Sequence, residues 1–130
     1  MKFLFKISFV LSVFMMSCTS HNDALQGRWK VDELAFDFDE RKTTPEMIAQ
    51  YGKEESKNEL VFKNDSIVYI KMYRYDGDYY YRLDEDNVVM FGDKNSINNK
   101  LGVYKNATIH SEINTVIGKM DIKWIRDNNN

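Results

Sequence analysis

Residues 60–91, LVFKNDSIVYIKMYRYDGDYYYRLDEDNVVMF, decide the fold because apolar and polar residues alternate through this stretch. Alternation with a period of two is typical of β-strands that bury one face. The first turn follows from the pattern, since a three-residue loop at residues 64–66 pairs Phe62 with Val68 and keeps the apolar sets together. A two-residue loop would place the two apolar sets on opposite faces of the sheet.

The two turns that follow extend the same face. Asp76 and Gly77 form an Asp-Gly hairpin signal, and with these residues as the loop Met72 would pair with Tyr81. A polar loop at residues 84–87 would then continue the same register into a fourth strand. The predicted inward residues of this meander are Leu60, Phe62, Val68, Ile70, Met72, Tyr81, Leu83, Val88 and Met90. The predicted outward residues are Ile67, Tyr69, Tyr73, Tyr80, Val89 and Phe91.

A long strand precedes the meander. Residues 25–38, LQGRWKVDELAFDF, are rich in aromatic and branched side chains, as strands are. The apolar positions change phase between Trp29 and Leu34. A β-bulge near Asp32 or Glu33 would account for that change, because a bulge inserts one extra residue into a strand.

A short helix is predicted between this strand and the meander. Residues 43–52, TTPEMIAQYG, contain Thr44 as an N-cap and Pro45 at the first helical position. Gly52 is a residue type that commonly ends helices. We therefore expect a helix over residues 44–51, with an apolar stripe that must pack on the strands.

The remaining chain completes an all-β fold. Residues 92–100 predict a loop and residues 101–104 and 107–113 predict strands, and apolar residues alternate along a final strand at Met120, Ile122 and Trp124. About eight antiparallel strands with one short helix between the first two predict a meander closed or nearly closed into a β-barrel, because closure removes exposed edges. A two-sheet sandwich is the alternative.

The first 17 residues resemble an export signal. Lys2 and Lys6 are their only charges, and the apolar run at residues 7–16 is shorter than the roughly 20 residues of a spanning helix. A charged start, an apolar centre and a small residue before a boundary are typical of secretory signals. We expect residues 1–17 to be absent from the mature protein.

The boundary after this segment resembles the lipobox of bacterial lipoproteins. It reads Met15, Met16, Ser17, Cys18, and Cys18 is the only cysteine of the chain. In that family the cysteine sulfur receives a diacylglycerol and the chain is cut before the cysteine. Ordinary secretion, with cleavage near Ser17 or Ser20, is the alternative.

These features divide the chain into four parts. We predict a signal peptide at residues 1–17, a lipidated spacer at residues 18–24, a barrel domain at residues 25–126 and a disordered tail at residues 127–130. The spacer is short, so the domain is expected close to its membrane anchor.

The strand that begins with Gly27-x-Trp29 resembles the first strand of lipocalins and other calycins. The order of lipobox, spacer, strand, helix and meander resembles the lipocalin-like lipoproteins of the Bacteroidetes cell envelope. This resemblance implies a lipocalin-like barrel in which the tryptophan closes one end beneath an arginine. Arg126 is the expected partner, with Arg28 and Arg82 as rivals. The other end would open toward a small hydrophobic ligand.

Charge and composition exclude some classes of function. The formal net charge of −2 becomes −4 once Lys2 and Lys6 leave with the signal, and both signs are interspersed along the chain. Nucleic-acid binding requires a basic face that displaces phosphate counterions. We therefore expect no nucleic-acid partner.

Motifs for chemistry are also missing from the sequence. His21 and His110 have no second histidine or thiol at metal-ligand spacing. The carboxylates at residues 37–40, 76–78 and 84–86 fall in turns or strand ends and do not match a calcium loop. No phosphate-binding glycine loop or nucleophile elbow occurs. We predict a protein that is not an enzyme and has no cofactor or metal.

The interior of the predicted barrel is a candidate ligand site. Its methionine and aromatic side chains form soft walls that suit an apolar molecule. The alternative is that these side chains fill a small barrel and leave no cavity. The predicted ligand-binding residues are Trp29, Phe62, Ile70, Met72, Tyr81, Met90 and Trp124.

The outer face of the meander is a second candidate site. Exposed aromatic side chains would mark a surface for an envelope protein or a glycan, unless a loop or the helix covers them. The predicted partner-binding residues are Tyr69, Tyr73, Tyr80 and Phe91. The expected location is the cell envelope, with a lipid anchor in the outer membrane of a Gram-negative bacterium.

Overall fold

Residues 24–72 and 74–128, which a computed structural model of the chain describes, form a closed ring of eight antiparallel strands. Each strand pairs with the next along the chain, and the first pairs with the last. The predicted all-β barrel is therefore confirmed, and the sandwich alternative is excluded. The strands are β1 (Gly27–Phe38), β2 (Glu59–Phe62), β3 (Ile67–Met72), β4 (Tyr75–Leu83), β5 (Val88–Asp93), β6 (Ser96–Lys105), β7 (Thr108–Thr115) and β8 (Gly118–Arg126), and helix α1 (Pro45–Glu55) connects β1 to β2.

Strand β1 contains the predicted bulge. The pairing of β1 with β8 shifts between Val31 and Glu33, so one extra residue lies in β1. The extra residue returns the later apolar positions to the inner face of the barrel. As a result, Leu34 and Phe36 pack against the same core as Trp29.

Helix α1 begins as predicted and ends about one turn later. The Thr44 hydroxyl accepts a hydrogen bond from the Met47 backbone N–H at 3.2 Å and caps the helix. The helix continues through Gly52 to Glu55, so the prediction that Gly52 ends it is wrong. A Cβ atom at Gly52 would lie 3.7 Å from the Phe36 ring, so this position packs on β1. Such tertiary packing outweighs the low helix propensity of glycine.

The hairpin of β2 and β3 forms as predicted. Phe62 pairs with Val68, and the Lys63 backbone N–H donates to the Ile67 carbonyl at 2.9 Å to close a three-residue loop. The Asn64 side-chain oxygen accepts from the backbone N–H of Ile67 at 2.8 Å. Asparagine therefore supplies the turn with a local hydrogen-bond acceptor.

The hairpin of β3 and β4 has a different turn from the one predicted. Met72 pairs with Tyr75 and not with Tyr81, a shift of six residues, and Gly77 pairs with Ile70 inside the ladder. The Asp-Gly dipeptide is thus part of strand β4. Because six is an even number, the faces of β4 are unchanged, and Tyr81 is buried as predicted.

The connection from β4 to β5 is longer by one residue than predicted. Tyr81 pairs with Phe91 and not with Met90. Asp86 and Asn87 both have a φ of 61°, and this left-handed pair takes up the extra residue before β5 begins. Asparagine and aspartate tolerate that conformation better than other non-glycine residues.

This one-residue difference reverses the faces of β5. Val89 and Phe91 were predicted to point outward, but they are buried in the core at 0% and 1% exposure. Val88 and Met90 were predicted to point inward, but they lie on the opposite face and are only half-buried. Since side chains alternate along a strand, a slip of one residue moves every one of them to the other face.

The C-terminal strands fit the prediction in part. The predicted loop at residues 92–100 is mostly strand, because β5 extends to Asp93 and β6 begins at Ser96. The final strand is as predicted, with Met120, Ile122 and Trp124 all buried. Met120 pairs with Phe36 across the β1–β8 seam that closes the barrel.

The barrel has two distinct ends. We call the end that contains Trp29 and Arg126 the Trp29 end, and the opposite end, where α1 joins β1 to β2, the helix end. The apolar core fills the space between them. Its buried residues are Leu25, Trp29, Leu60, Phe62, Val68, Ile70, Met72, Tyr81, Val89, Phe91, Leu101, Ile109, Met120, Ile122 and Trp124.

Candidate functional site

The Trp29 end is closed by one indole and one guanidinium group. The Trp29 indole N–H donates to the Leu25 carbonyl at 2.8 Å, and both side chains are fully buried. The Arg126 guanidinium carbon lies 4.7 Å from the centroid of the Trp29 ring. The same guanidinium donates to the carbonyl oxygens of Ala24 and Gln26. These contacts fasten the segment before β1 across this end of the barrel.

The prediction that Arg126 stacks on Trp29 is confirmed, and the two rival arginines lie elsewhere. Arg28 forms an ion pair with Glu59 at 3.6 Å on the outer surface. Arg82 forms an ion pair with Asp84 at 2.6 Å, also at an exposed position. Neither contact reaches the tryptophan ring.

The predicted ligand-binding residues are mostly interior. Six of the seven side chains lie in the buried core. Trp124 also has a polar partner, since its indole N–H donates to the buried Ser111 hydroxyl at 2.9 Å. The six interior residues are Trp29, Phe62, Ile70, Met72, Tyr81 and Trp124.

Met90 is the exception among the predicted ligand-binding residues. It pairs with Arg82 on one side and with Lys100 on the other, and both of these neighbours are exposed. Met90 therefore belongs to the outer face of the barrel because of the one-residue slip before β5. It cannot line the interior.

The predicted partner surface is smaller than expected. Tyr69 and Tyr80 lie on the outer face and are half-buried, but Phe91 is in the core. Tyr73 lies outside the residues that the structure describes. The outer face retains Ile67 beside Tyr80, so part of the predicted apolar surface is present.

Tyr69 has a specific polar contact on this outer face. Its hydroxyl donates to the Asp76 carboxylate at 2.8 Å. That hydrogen bond raises the pKa of Tyr69, because loss of the phenolic proton would remove the donor and place two negative charges together. The contact fixes the orientation of the ring between β3 and β4.

Aromatic rings lead from the core toward the helix end. Tyr75, Tyr79 and Phe91 contact one another edge to face, with ring centroids 5.0 to 5.8 Å apart. Phe91 is buried, whereas Tyr75 and Tyr79 are half-buried. Edge-to-face pairs of this kind are favourable beyond the area that they bury.

A second aromatic group joins α1 to β1. The rings of Phe36 and Phe38 lie 4.9 Å apart, and Phe38 contacts Tyr51 of the helix edge to face at 5.6 Å. All three side chains are only half-buried. We call these three residues the aromatic triad of the helix end.

The helix end is therefore lined by apolar side chains that keep part of their surface exposed. Buried Met120 pairs with Phe36 and with Ile113, and buried Met72 pairs with Tyr75. Methionine side chains are flexible and adapt to the shape of a neighbour. The half-buried residues around this end are Leu34, Phe36, Phe38, Tyr75 and Ile113.

Sequence reasoning missed two groups of residues at this end. Tyr75 and Tyr79 are not identified as interior side chains from the sequence, because the Asp-Gly dipeptide favours a hairpin loop at residues 76–77. Glu55 and Asn58, both buried, were missed because the helix was ended at Gly52. The spacing of Glu55 in the amphipathic stripe of α1 is the signal that could have found it.

Further grooves lie outside the barrel core. A cavity of about 370 Å³ crosses the side of the barrel over β1, β8, β7 and β6, and polar residues such as Glu33, Lys123 and His110 line it. None of the predicted ligand-binding residues contributes to it. A cavity of about 280 Å³ runs along α1 beside Met47 and Tyr51.

Two further findings concern residues 24–72 and 74–128 alone. No cluster of three or more histidine, cysteine, aspartate or glutamate side chains in this part is arranged to hold a metal ion. No helix of this part has the length and apolar character needed to cross a membrane. Cys18 and His21 lie outside the described residues.

The eight-stranded antiparallel barrel is compatible with a lipocalin-like fold. The chain matches no protein-family model, no curated protein and no solved structure. Arguments about its function therefore start from the difference between the two ends of the barrel.

Proposed function

We propose that this protein is a lipid-anchored, non-enzymatic binding module that holds a small hydrophobic ligand at the helix end of its barrel. The observation that carries the proposal is the asymmetry of the barrel. Arg126 and the segment before β1 seal the Trp29 end, whereas half-buried apolar side chains surround the helix end. An apolar molecule would cover surface that water now reaches.

The chemistry of the helix end suits such a ligand. Burial of apolar surface contributes roughly 25 cal/mol per Å², so a ligand that covers several half-exposed rings gains appreciable binding energy. Flexible Met72 and Met120 pair with Tyr75 and Phe36 in the sheet and can adjust to the shape of the ligand. Helix α1 lies against β1 at the same end through Phe38 and Tyr51, where it can fold over a bound molecule.

The anchor is proposed to be a lipid on Cys18, in the outer membrane of a Gram-negative bacterium. Arg126 fastens Ala24 and Gln26 to the Trp29 end, which places the start of the barrel domain on that side. A chain that leaves Ala24 toward Cys18 spans at most roughly 20 Å. The Trp29 end would therefore face the membrane, and the helix end would face away from it.

Ligand binding can be tested with a matched pair of substitutions at the two ends. Ile113 and Leu83 are both half-buried on the inner face, Ile113 at the helix end and Leu83 at the Trp29 end. Ile113→Lys should strongly reduce uptake of a neutral apolar fluorophore, whereas Leu83→Lys should preserve it. Circular dichroism would verify that both variants fold. In a separate experiment, mass spectrometry would search wild-type protein purified from its native host for an extractable ligand.

Two results would contradict this proposal. One is a wild-type protein that neither takes up the fluorophore nor carries an extractable molecule. The other is equal loss of uptake in both lysine variants, which would place the site away from the helix end.

The anchor has its own test. Mass spectrometry of the mature protein should find diacylglycerol on Cys18 as the first residue, and Cys18→Ser should release the protein from membranes. A mature N-terminus after Ser20, which lacks the cysteine, or one after Ser17 with an unmodified Cys18 would support ordinary secretion instead.

A second candidate function is an interaction with an envelope protein or a glycan through the outer face. Val61 pairs with Tyr69, and Ile67 pairs with Tyr80, so four half-buried apolar residues form one continuous patch. Replacing both tyrosines with serine should abolish capture of the partner while the barrel stays folded. The matched control is Lys71→Ser on the same strand, and equal capture by the double variant would count against this surface.

A further inference from the structure

Glu55 occupies an unexpected position on helix α1. The residues of α1 with reduced exposure are Ile48, Tyr51, Gly52 and Glu55, spaced as one side of a helix. Gly52 in this stripe packs near the Phe36 ring of β1, so the stripe faces the barrel. Glu55 is the most buried residue of the helix, with 7% of its surface exposed.

The surroundings of this carboxyl group contain one polar partner. The Asn58 side-chain amide, itself 8% exposed, donates to one Glu55 oxygen. Among residues 24–72 and 74–128, no lysine, arginine or histidine forms an ion pair with Glu55. The other charged side chains of α1 are exposed to solvent.

A carboxyl group at this position is poorly explained by packing alone. Burial of a carboxylate is unfavourable unless a cation or several hydrogen bonds compensate for the lost water. One neutral amide provides less than that compensation. An apolar side chain in the same stripe would have extended the contact with β1 at no such cost.

The aromatic rings beside this helix would attract a cation, as the Glu55 carboxylate would. Tyr51 and Gly52 lie one turn before Glu55 on the same side of the helix, Tyr51 in contact with Phe38 and Gly52 near the Phe36 ring, so the aromatic triad of the helix end adjoins this part of α1. Aromatic faces attract cations, most strongly where water is excluded. A carboxyl group and several rings at one end of a barrel are together suited to an ammonium group.

We propose that the helix end prefers apolar ligands that carry an ammonium group, with Glu55 as the acceptor of that group. This inference rests on the proposed function, because it names the class of ligand for the same site. The aromatic triad holds the apolar body, and the ammonium group of the ligand supplies a cationic partner to the Glu55 carboxyl, whose partner among the described side chains is the neutral Asn58 amide. Asn58 keeps the carboxyl group oriented while the site is empty.

A purely structural role for Glu55 makes a different prediction. The Asn58 backbone N–H also donates to the Glu55 carbonyl at 3.2 Å, so the two residues form a local turn after the helix. If closing this turn were the whole role of Glu55, its replacement would change stability and leave the preference between ligands untouched.

The test compares two probes with the same apolar body, 4-phenylbutylammonium and the neutral 4-phenylbutanol. Dissociation constants for the full chain in mild detergent would be measured by isothermal titration calorimetry. Wild-type protein should bind the ammonium probe about tenfold more tightly, the ratio expected for a charge-assisted hydrogen bond from the ammonium group to Glu55. Glu55→Gln, which keeps a hydrogen-bond acceptor for Asn58, should remove this preference. Glu54→Gln, which changes an exposed neighbour, should retain it.

The partitioning of each probe into the micelles would be measured separately and its dissociation constants corrected for it, so that the affinities for the two probes can be compared. Equal affinity of wild-type protein for the two probes would overturn the inference while the proposed function stands, and this result does not depend on the variants folding. A preference that survives Glu55→Gln would likewise overturn it. Failure of wild-type protein to bind either probe would remove support from both the inference and the proposed function.

Discussion

Both ends of this barrel contain aromatic side chains, but the two sets of side chains differ in their contacts and in their exposure. At the Trp29 end, an indole N–H, a guanidinium group and the carbonyl oxygens before β1 are joined by hydrogen bonds around a fully buried ring. At the helix end, aromatic side chains contact one another but remain half-exposed. The first arrangement fixes the chain, whereas the second leaves surface that a ligand can cover.

This difference has an energetic meaning. Elements that bind or move are drawn from the less stable parts of a protein, since rigid packing opposes adaptation. If the Trp29 end stabilises the fold and the helix end binds the ligand, similar truncations at the two ends should lower the free energy of unfolding by different amounts.

The largest difference is expected for removal of one ring at each end. Trp29→Ala should lower the free energy of unfolding by about 3–5 kcal/mol, because it leaves a cavity in a fully buried site. Phe38→Ala should lower it by only about 1 kcal/mol, because part of that ring already contacts water. Urea unfolding followed by circular dichroism would measure both values. Equal losses would mean that the two ends are equally structural.

The next largest effect concerns the guanidinium group over Trp29. Arg126→Lys keeps the charge but loses the planar fork that reaches the carbonyls of Ala24 and Gln26, and we expect a loss of about 1–2 kcal/mol. Arg28→Lys is the matched control, because its ion pair with Glu59 is exposed and should contribute less than about 0.5 kcal/mol. The same unfolding measurement applies, and a larger loss for Arg28→Lys would contradict the stacking role of Arg126.

Part of the difference between the two ends can be predicted from the sequence, either from a family resemblance or from patterns within one turn or one hairpin. Gly27-x-Trp29 and Arg126 lie at the two ends of the domain, and a resemblance to lipocalins brought them together. The loop at Asn64 was correct because only one loop length keeps Phe62 and Val68 on one face. Thr44 was correct because capping depends on residues within one turn.

The errors arose where two local signals competed. The Asp-Gly dipeptide has a strong turn preference, but the longer ladder between β3 and β4 places Gly77 inside a strand. The β4–β5 loop was placed one residue short, because sequence does not show that Asp86 and Asn87 both adopt a positive φ. That single residue exchanged Met90 for Phe91 in the core. Errors of an even number of residues preserve the faces of a strand, and errors of an odd number reverse them.

Alanine substitution should change the free energy of unfolding in opposite directions at Gly27, in the Trp29 end, and at Gly52, in the helix end. Gly27 has a φ of 118°, and a Cβ there would lie 3.0 Å from an Arg126 nitrogen, so Gly27→Ala should destabilise the Trp29 end by about 1–2 kcal/mol. A Cβ at Gly52 would only touch the Phe36 ring at 3.7 Å. Gly52→Ala should therefore stabilise the protein by about 0.5–1 kcal/mol, because alanine favours the helix. Thermal unfolding would compare them, and destabilisation by Gly52→Ala would show that α1 packs too tightly to adjust.

The smallest effect concerns Asp39, in the connection between β1 and α1. The Arg41 backbone N–H, donating at 3.0 Å, and then the Arg41 side chain hold the pKa of the Asp39 carboxyl below its ordinary value. A carboxyl whose pKa is lower in the folded state stabilises the protein above the ordinary aspartate pKa, and this contribution is lost as the pH falls through the folded value. Asp39→Asn should therefore show a weaker loss of stability than wild-type protein below about pH 4. Unfolding by urea at a series of acidic pH values would measure this difference.

The position of Asp39 explains why its substitution should have a small effect on stability. It also links Asp39 to the difference between the helix end and the Trp29 end. The ion pair of Asp39 with Arg41 lies at the surface, since the Arg41 side chain is 90% exposed and the Asp39 side chain 28% exposed, so water and salt screen the interaction. Its backbone N–H, however, donates to the Ile117 carbonyl at 2.8 Å and ties the entry of the helix connection to the turn between β7 and β8. If acid loosens only this connection, ligand uptake at the helix end should weaken before the Trp29 end unfolds. Simultaneous loss of uptake and of the buried Trp29 environment would instead mean that both ends unfold as one cooperative unit.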